Sequence, residues 1–190
     1  MALTEYEVAK YIYDYFVQRG FTPESTCGIL GNVQQECSLN PNNPPIPDFD
    51  ALCYATWGVG ILQWTTQQSH NTISSWCSER GYQFIDINNP LESLKVQCEY
   101  LYYQMTNPVG QWIFNGSSLA DWENAGNIGQ YDMSKEEFIA SRRNPGFLAV
   151  VFCSNFERPN AYYAHVQHRV DYAAYWYSYF LSHSQKQTHL

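Results

Sequence analysis

The sequence predicts a mainly α chain with a small β-hairpin lobe beside its second helix. Three observations carry that prediction. Apolar residues recur at helical spacing along most of the chain, several of these runs open on helix caps, and only Ala51 to Trp64 has the composition of short strands. Hydrophobic residues make up 45% and charged residues 15%, which is ample for a core and excludes the composition of a disordered chain. The predicted organisation is one domain over residues 1–181 and a polar, frayed tail over 182–190.

The first helix runs from Thr4 to Arg19, where Val8, Tyr11, Ile12, Tyr15 and Phe16 share a face. Thr4 and Glu7 have capping-box spacing, and Gly20 stops the helix. Thr22 with Pro23 opens a second helix through Cys27, Leu30 and Val33, ending near Ser38 with Glu36 in its last turn. Gly28 and Gly31 lower the helix propensity there, a cost that makes sense if another backbone packs closely. Pro41, Pro44, Pro45 and Pro47 make residues 40–58 a loop before the hairpin. Helical patterns resume at Thr66 to Arg80 and, after Asn89-Pro90, at Pro90 to Tyr103. Ser134 and Glu137 repeat the capping box, Asn144-Pro145 opens a further apolar helix, and Ala161 to Leu181 reads as the closing one.

Charge and length exclude several function classes. With 10 Lys plus Arg against 18 Asp plus Glu, the net charge is -8, and no basic run interleaves with aromatics as phosphate tracking requires, so no nucleic-acid partner is expected. No run of about 18 apolar residues is present to span a membrane, and Met1 to Val8 lacks the basic start and apolar core of a signal peptide. The six cysteines are dispersed with no C-x-x-C pair, which argues against a structural zinc site and for mostly free thiols; no metal and no cofactor are expected.

The chemistry centres on Glu36. On a helix it shares a face with Val33, Asn32 and Ile29, beside an apolar stripe. Partial desolvation and the negative end of the helix dipole both favour the protonated carboxylic acid, which can donate to a leaving glycosidic oxygen. The plain alternative is a solvated glutamate at a helix end. Downstream, Trp57-Gly58-Val59-Gly60-Ile61-Leu62-Gln63-Trp64 adds glycines that admit close approach, an amide at Gln63 that donates and accepts, and flat faces at Trp57 and Trp64. An ordinary hairpin turn is the alternative there.

The ordered pair Gly31-Asn32-Val33-Gln34-Gln35-Glu36-Cys37-Ser38-Leu39-Asn40-Pro41 and Gly58-Val59-Gly60-Ile61-Leu62-Gln63-Trp64 resembles the phage tail lysozyme family, within the superfamily of goose-type lysozymes and lytic transglycosylases. Phe156-Glu157-Arg158-Pro159 is similar to a recurring segment of that family, and Arg169 with Ala173 and Ala174 fits its last helix. The resemblance implies a lysozyme-like α+β fold and cleavage of the MurNAc-GlcNAc β-1,4 linkage of peptidoglycan, with Glu36 as catalytic acid. It also implies a cleft lined by Gln63, Trp64, Gly60, Trp57 and Asn32, action at the host wall from a phage tail or after release, and other tail proteins as partners. Cys37 stands where the family often has Ser, a change of similar size. Glu157 and Arg158 read as a structural ion pair or a helix-end contact.

Glycoside hydrolysis usually employs a second carboxylate, at about 6.5 to 9.5 Å from the acid for inversion and about 5 to 5.5 Å for retention. Asp48 and Asp50, on the loop after the acid, are the candidates. If neither reaches the cleft, a single acid still supports a transglycosylase. Two other classes compete: a Cys/His wall peptidase using Cys27 or Cys37 with His70, His165 or His168, and a non-catalytic tail or glycan-binding module that keeps the fold. His165 and His168, three apart on one helix, read as surface residues rather than metal ligands.

Overall fold

Each predicted cap forms in the computed structural model, which describes residues 3–42, 58–65, 67–108, 110–118, 126, 129–160 and 164–187. Helix α1 (Glu5–Val17) starts on Thr4, whose hydroxyl accepts from the Glu7 amide at 3.2 Å while the Glu7 carboxylate accepts from the Thr4 amide at 2.8 Å. Helix α2 (Pro23–Cys37) is capped by Thr22 and ends on Ser38 in the left-handed region (φ 52). Helices α3 (Gln67–Arg80) and α4 (Pro90–Thr106) come next, the latter capped by Asn89. The short α5 (Lys135–Ala140) carries the second capping box on Ser134 and Glu137. Helix α6 (Pro145–Phe152) is capped by Asn144, whose carbonyl oxygen accepts from the amides of Gly146 and Phe147. Helix α7 (Val166–Gln187) closes the described chain. The chain is thus mainly helical, as predicted, and no helix among the described residues is long and apolar enough to cross a membrane.

Helix α2 is the axis of the packing. Its residues Ser25 to Val33 are buried without interruption, so it is enclosed on all sides rather than amphipathic. It packs chiefly against α7 and α6, and less extensively against α1 and α5. The two glycines explain how three helices come so close. A Cβ on Gly28 would stand 3.0 Å from the Leu148 backbone of α6, and one on Gly31 would stand 2.3 Å from the Arg169 carbonyl oxygen of α7. One apolar cluster, from Val8 in α1 to Phe180 in α7, fills the space between the helices.

One expectation is met only in part among the described residues, and two need correction. The β-hairpin lobe reduces, among the described residues, to one antiparallel bridge between Val59 and Trp64. Its side chains do not alternate: Val59, Ile61, Leu62 and Trp64 are all buried, and the Ile61 amide is satisfied by the Gln97 side chain at 2.9 Å instead of a strand partner. Residues 43–57, which hold the rest of the expected lobe, lie outside the described residues. The closing helix begins at Val166 rather than Ala161 and continues through Ser182 to Gln187, where a frayed tail was expected. Local contacts extend it: the His183 ring stacks on Tyr179 at 4.0 Å, and the Ser184 hydroxyl donates to the Phe180 carbonyl at 2.8 Å.

Helix α6 leads without a break into a π-helical turn, Cys153–Glu157, that periodicity did not reveal. The Asn155 amide donates to the Val151 carbonyl at 2.8 Å and to the Tyr131 carbonyl at 2.9 Å, drawing side chain and neighbouring loop onto the turn. The wider turn ends on Arg158 in the left-handed region (φ 51), whose amide reaches back to the Cys153 carbonyl at 2.7 Å.

Candidate functional site

Glu36 lies in the last turn of α2, where the helix emerges from its enclosure, and its side chain is 22% exposed. It is neither in bulk water nor sealed in the core. Oε1 accepts from Nη2 of Arg169 at 2.5 Å, and that arginine, 133 residues away in sequence, is only 3% exposed. The rest of the guanidinium is also engaged: Nη1 donates to the Asn32 side-chain oxygen and Nε to the Ala164 carbonyl, each at 2.7 Å. Burial works against the Arg169 charge, but the Glu36 carboxyl at hydrogen-bond distance supports it, and on balance its pKa moves up, so the guanidinium stays charged.

Asn32 holds the arginine from the other side. Its amide nitrogen donates to the carbonyls of Gly28 and Ala149 at 2.9 Å each, and the residue has no exposed surface. Asn32 was expected to line the cleft; it instead ties α2, α6 and α7 together behind the acid. The close approach allowed at Gly31 makes this possible, since it brings the Arg169 segment of α7 against α2.

The π turn contributes Glu157. Its Oε1 is enclosed and has no hydrogen-bond partner among the described residues. Burial pushes the carboxyl well above its ordinary range, the negative charge of Glu36 pushes the same way, and Arg169 and Arg158 oppose without prevailing. Of the carboxyls in the cluster, Glu157 is the one that burial biases toward its protonated form. No ion pair joins Glu157 to Arg158 among the described residues; Arg158 Nη1 instead donates to the carbonyls of Gln111, Asn155 and Phe156, at 2.7, 2.9 and 2.9 Å. Of the two expected roles, the helix-end contact is the one seen. The Cys37 thiol donates to the Val33 carbonyl at 3.2 Å, the bond a serine hydroxyl would make there.

The glycine-rich segment forms a tight turn. Gly60 adopts φ +73 and a Cβ there would meet Oε1 of Gln97 at 2.9 Å, so this position requires glycine on two counts. Gln63 is half-buried with φ 46, and its amide nitrogen donates to the Gly60 carbonyl at 2.9 Å. Trp64 was expected to present a flat face, but it is 3% exposed and packs edge-on against Phe84 and Tyr100 at 5.5 and 5.4 Å. Its indole belongs to the core under the turn. Asp48, Asp50 and Trp57 lie outside the described residues.

Among the described side chains, which do not include that of His70, the peptidase constellation is not assembled. Cys27 is fully buried and burial pushes its thiol well up, the reverse of what a nucleophile needs. Cys37 is also buried, with its thiol pushed up to about 12. His165 and His168 are exposed and stack on each other at 5.7 Å. Among the described residues, no group of three or more His, Cys, Asp or Glu stands where it could hold a metal ion.

Residues 7–180 match the model of a family described as phage tail lysozyme. Over 151 residues the chain is 27% identical to "Morphogenesis protein 1" of Bacillus phage B103. The aligned region covers 80% of this chain but 33% of that protein, so the chain spans about a third of its relative's length.

Proposed function

Since this chain belongs to the phage tail lysozyme family, we propose that it cleaves the MurNAc-GlcNAc β-1,4 linkage of bacterial peptidoglycan with Glu36 as the general acid. The observation that carries this reading is the placement of Glu36: a carboxyl fixed at the open end of an otherwise enclosed helix, partly exposed and held by a buried arginine. A group so anchored keeps one direction relative to a bound chain, and a positioned acid contributes about 10²- to 10⁴-fold to a rate. Gly60 and Gln63 then serve the cleft wall with Trp57, while Trp64 and Asn32 support it from behind. Asp48 or Asp50 supplies the second carboxylate of a hydrolase; if neither does, the product is the anhydro sugar of a transglycosylase.

In this reading residues 1–181 act as one lysozyme-like domain, carried in a phage tail with other tail proteins or released at the host wall. The test is loss of turbidity of Gram-positive walls, comparing the chain with Glu36→Gln, then mass spectrometry of the released muropeptides. We expect clearing by the first and at least a 100-fold loss in the second. Equal clearing by both removes Glu36 from the mechanism. The engagement of Glu36 by Arg169 also suits a purely structural carboxylate, as in a tail module without turnover. Binding of walls by both proteins, without clearing by either, selects that reading.

A further inference from the structure

We infer that Arg169 is the positioning residue for Glu36: its guanidinium aims the Glu36 carboxyl at the bond to be cut. This rests on the glycan-cleaving reading above and assigns a role to a residue remote in sequence from both motifs.

The geometry is that of a locked fork. Three nitrogens of one planar group make three contacts, to Ala164, Asn32 and Glu36, at 2.7, 2.7 and 2.5 Å. A planar guanidinium fixed at two points cannot rotate, so its third contact has a defined direction. Asn32 is itself pinned by two donated bonds, which makes the chain of constraint continuous from the α6 backbone through Asn32 and Arg169 to the Glu36 carboxyl. Such a buried cation persists only beside an opposite charge. Among the described residues few groups face it and Glu36. Glu157 from the π turn is enclosed and burial raises its pKa, and the buried thiols of Cys153 and Cys37 are pushed up to about 12 and remain protonated. Arg169 is the charged group that meets the Glu36 carboxyl among the described residues.

The test is the kinetics of wall clearing by the whole chain and by Arg169→Gln, Arg169→Lys and Glu36→Gln, with folding checked by circular dichroism. Arg169→Gln keeps a hydrogen-bonding side chain but not the fork. It should lose about 100-fold in kcat at constant KM, as expected for a misplaced group. Arg169→Lys keeps the charge but not the fork, and should lose kcat as well. An Arg169→Gln protein that is folded and retains the normal kcat overturns the inference. So does one whose loss lies in KM with kcat unchanged, since a misaimed group slows the step rather than the binding. If Arg169→Gln does not fold, Arg169→Lys decides: a fall in kcat at constant KM supports the positioning role, and an unchanged kcat overturns it. Clearing by Glu36→Gln at the normal rate is a separate failure, of the reading itself.

Discussion

Replacement of Gly31 by alanine puts the helix geometry under the most direct test. The new methyl group would meet the Arg169 carbonyl oxygen at 2.3 Å, and Ala173 of α7 at 3.0 Å. The first obstacle is backbone, which cannot turn aside as a flexible side chain would. Relieving it to the closest separation real Cβ atoms show, 3.0 Å, requires α7 to retreat by at least ~0.7 Å from its 2.3 Å approach. Overpacking of this kind costs about 1 to 3 kcal/mol, here at the upper end, against a gain of about 1 kcal/mol in helix propensity. A net loss of about 2 kcal/mol corresponds to a fall in Tm of roughly 4 to 8 °C for a chain of this size. The retreat also lengthens the Arg169 to Glu36 contact, so wall clearing should fall by more than stability alone explains. Gly28→Ala is the internal control: its nearest neighbours stand at 3.0 to 3.1 Å and need give only a few tenths of an ångström. Thermal unfolding by circular dichroism ranks the three proteins. A Gly31→Ala chain as stable as the parent, or more stable than Gly28→Ala, would refute the close approach and with it our account of how Arg169 reaches the acid.

The same packing sets three other outcomes. Glu157 has a raised pKa in the folded chain, so its stabilising effect is complete below the ordinary carboxyl value of about 4.3 and is lost as pH rises toward its folded value; Glu157→Gln should flatten the decline of Tm with pH above that point, and a parallel decline in both proteins would contradict it. Gln97 accepts from the Ile61 amide and donates to the carbonyls of Pro41 and Phe84, at 2.9, 2.8 and 3.0 Å, so Gln97→Leu strands buried backbone groups and should cost about 2 to 4 kcal/mol, measured by urea unfolding. The five described cysteines are buried and free; in native protein iodoacetamide should leave them unmodified, and rapid labelling of Cys27 with loss of wall clearing would revive the peptidase alternative.

The legible part of the sequence was local. Thr4 with Glu7, Ser134 with Glu137, and the Asn-Pro pairs at 89–90 and 144–145 place helix starts within a few residues, because a cap is satisfied by its own first turn. The glycines at 28 and 31 were legible as a close approach but not as an approach to any particular partner. Arg169 was recognisable as part of the last helix, yet nothing within reach of a periodic pattern links it to a carboxyl 133 residues earlier. Trp64 shows a second limit: an indole suits a sugar face and a core equally, and only Phe84 and Tyr100, from other parts of the chain, decide between them. Of the expected hairpin the described residues hold the Val59–Trp64 bridge, where a side chain, Gln97, takes the Ile61 amide.

The π-helical turn at Cys153–Glu157 acts as a phase setting for the residues beyond it. An α-helix advances about 100° per residue, and a wider turn accommodates one residue more in the same rise. In ordinary winding one residue more would rotate everything beyond by about that angle; the wider turn takes it up and leaves the following residues in phase. A one-residue deletion there should therefore restore ordinary winding with the heading of the segment kept, and harm the chain chiefly through the contacts of Asn155 and Glu157 that it removes. A one-residue deletion in the ordinary winding of α6 has no such slack and should be far more damaging.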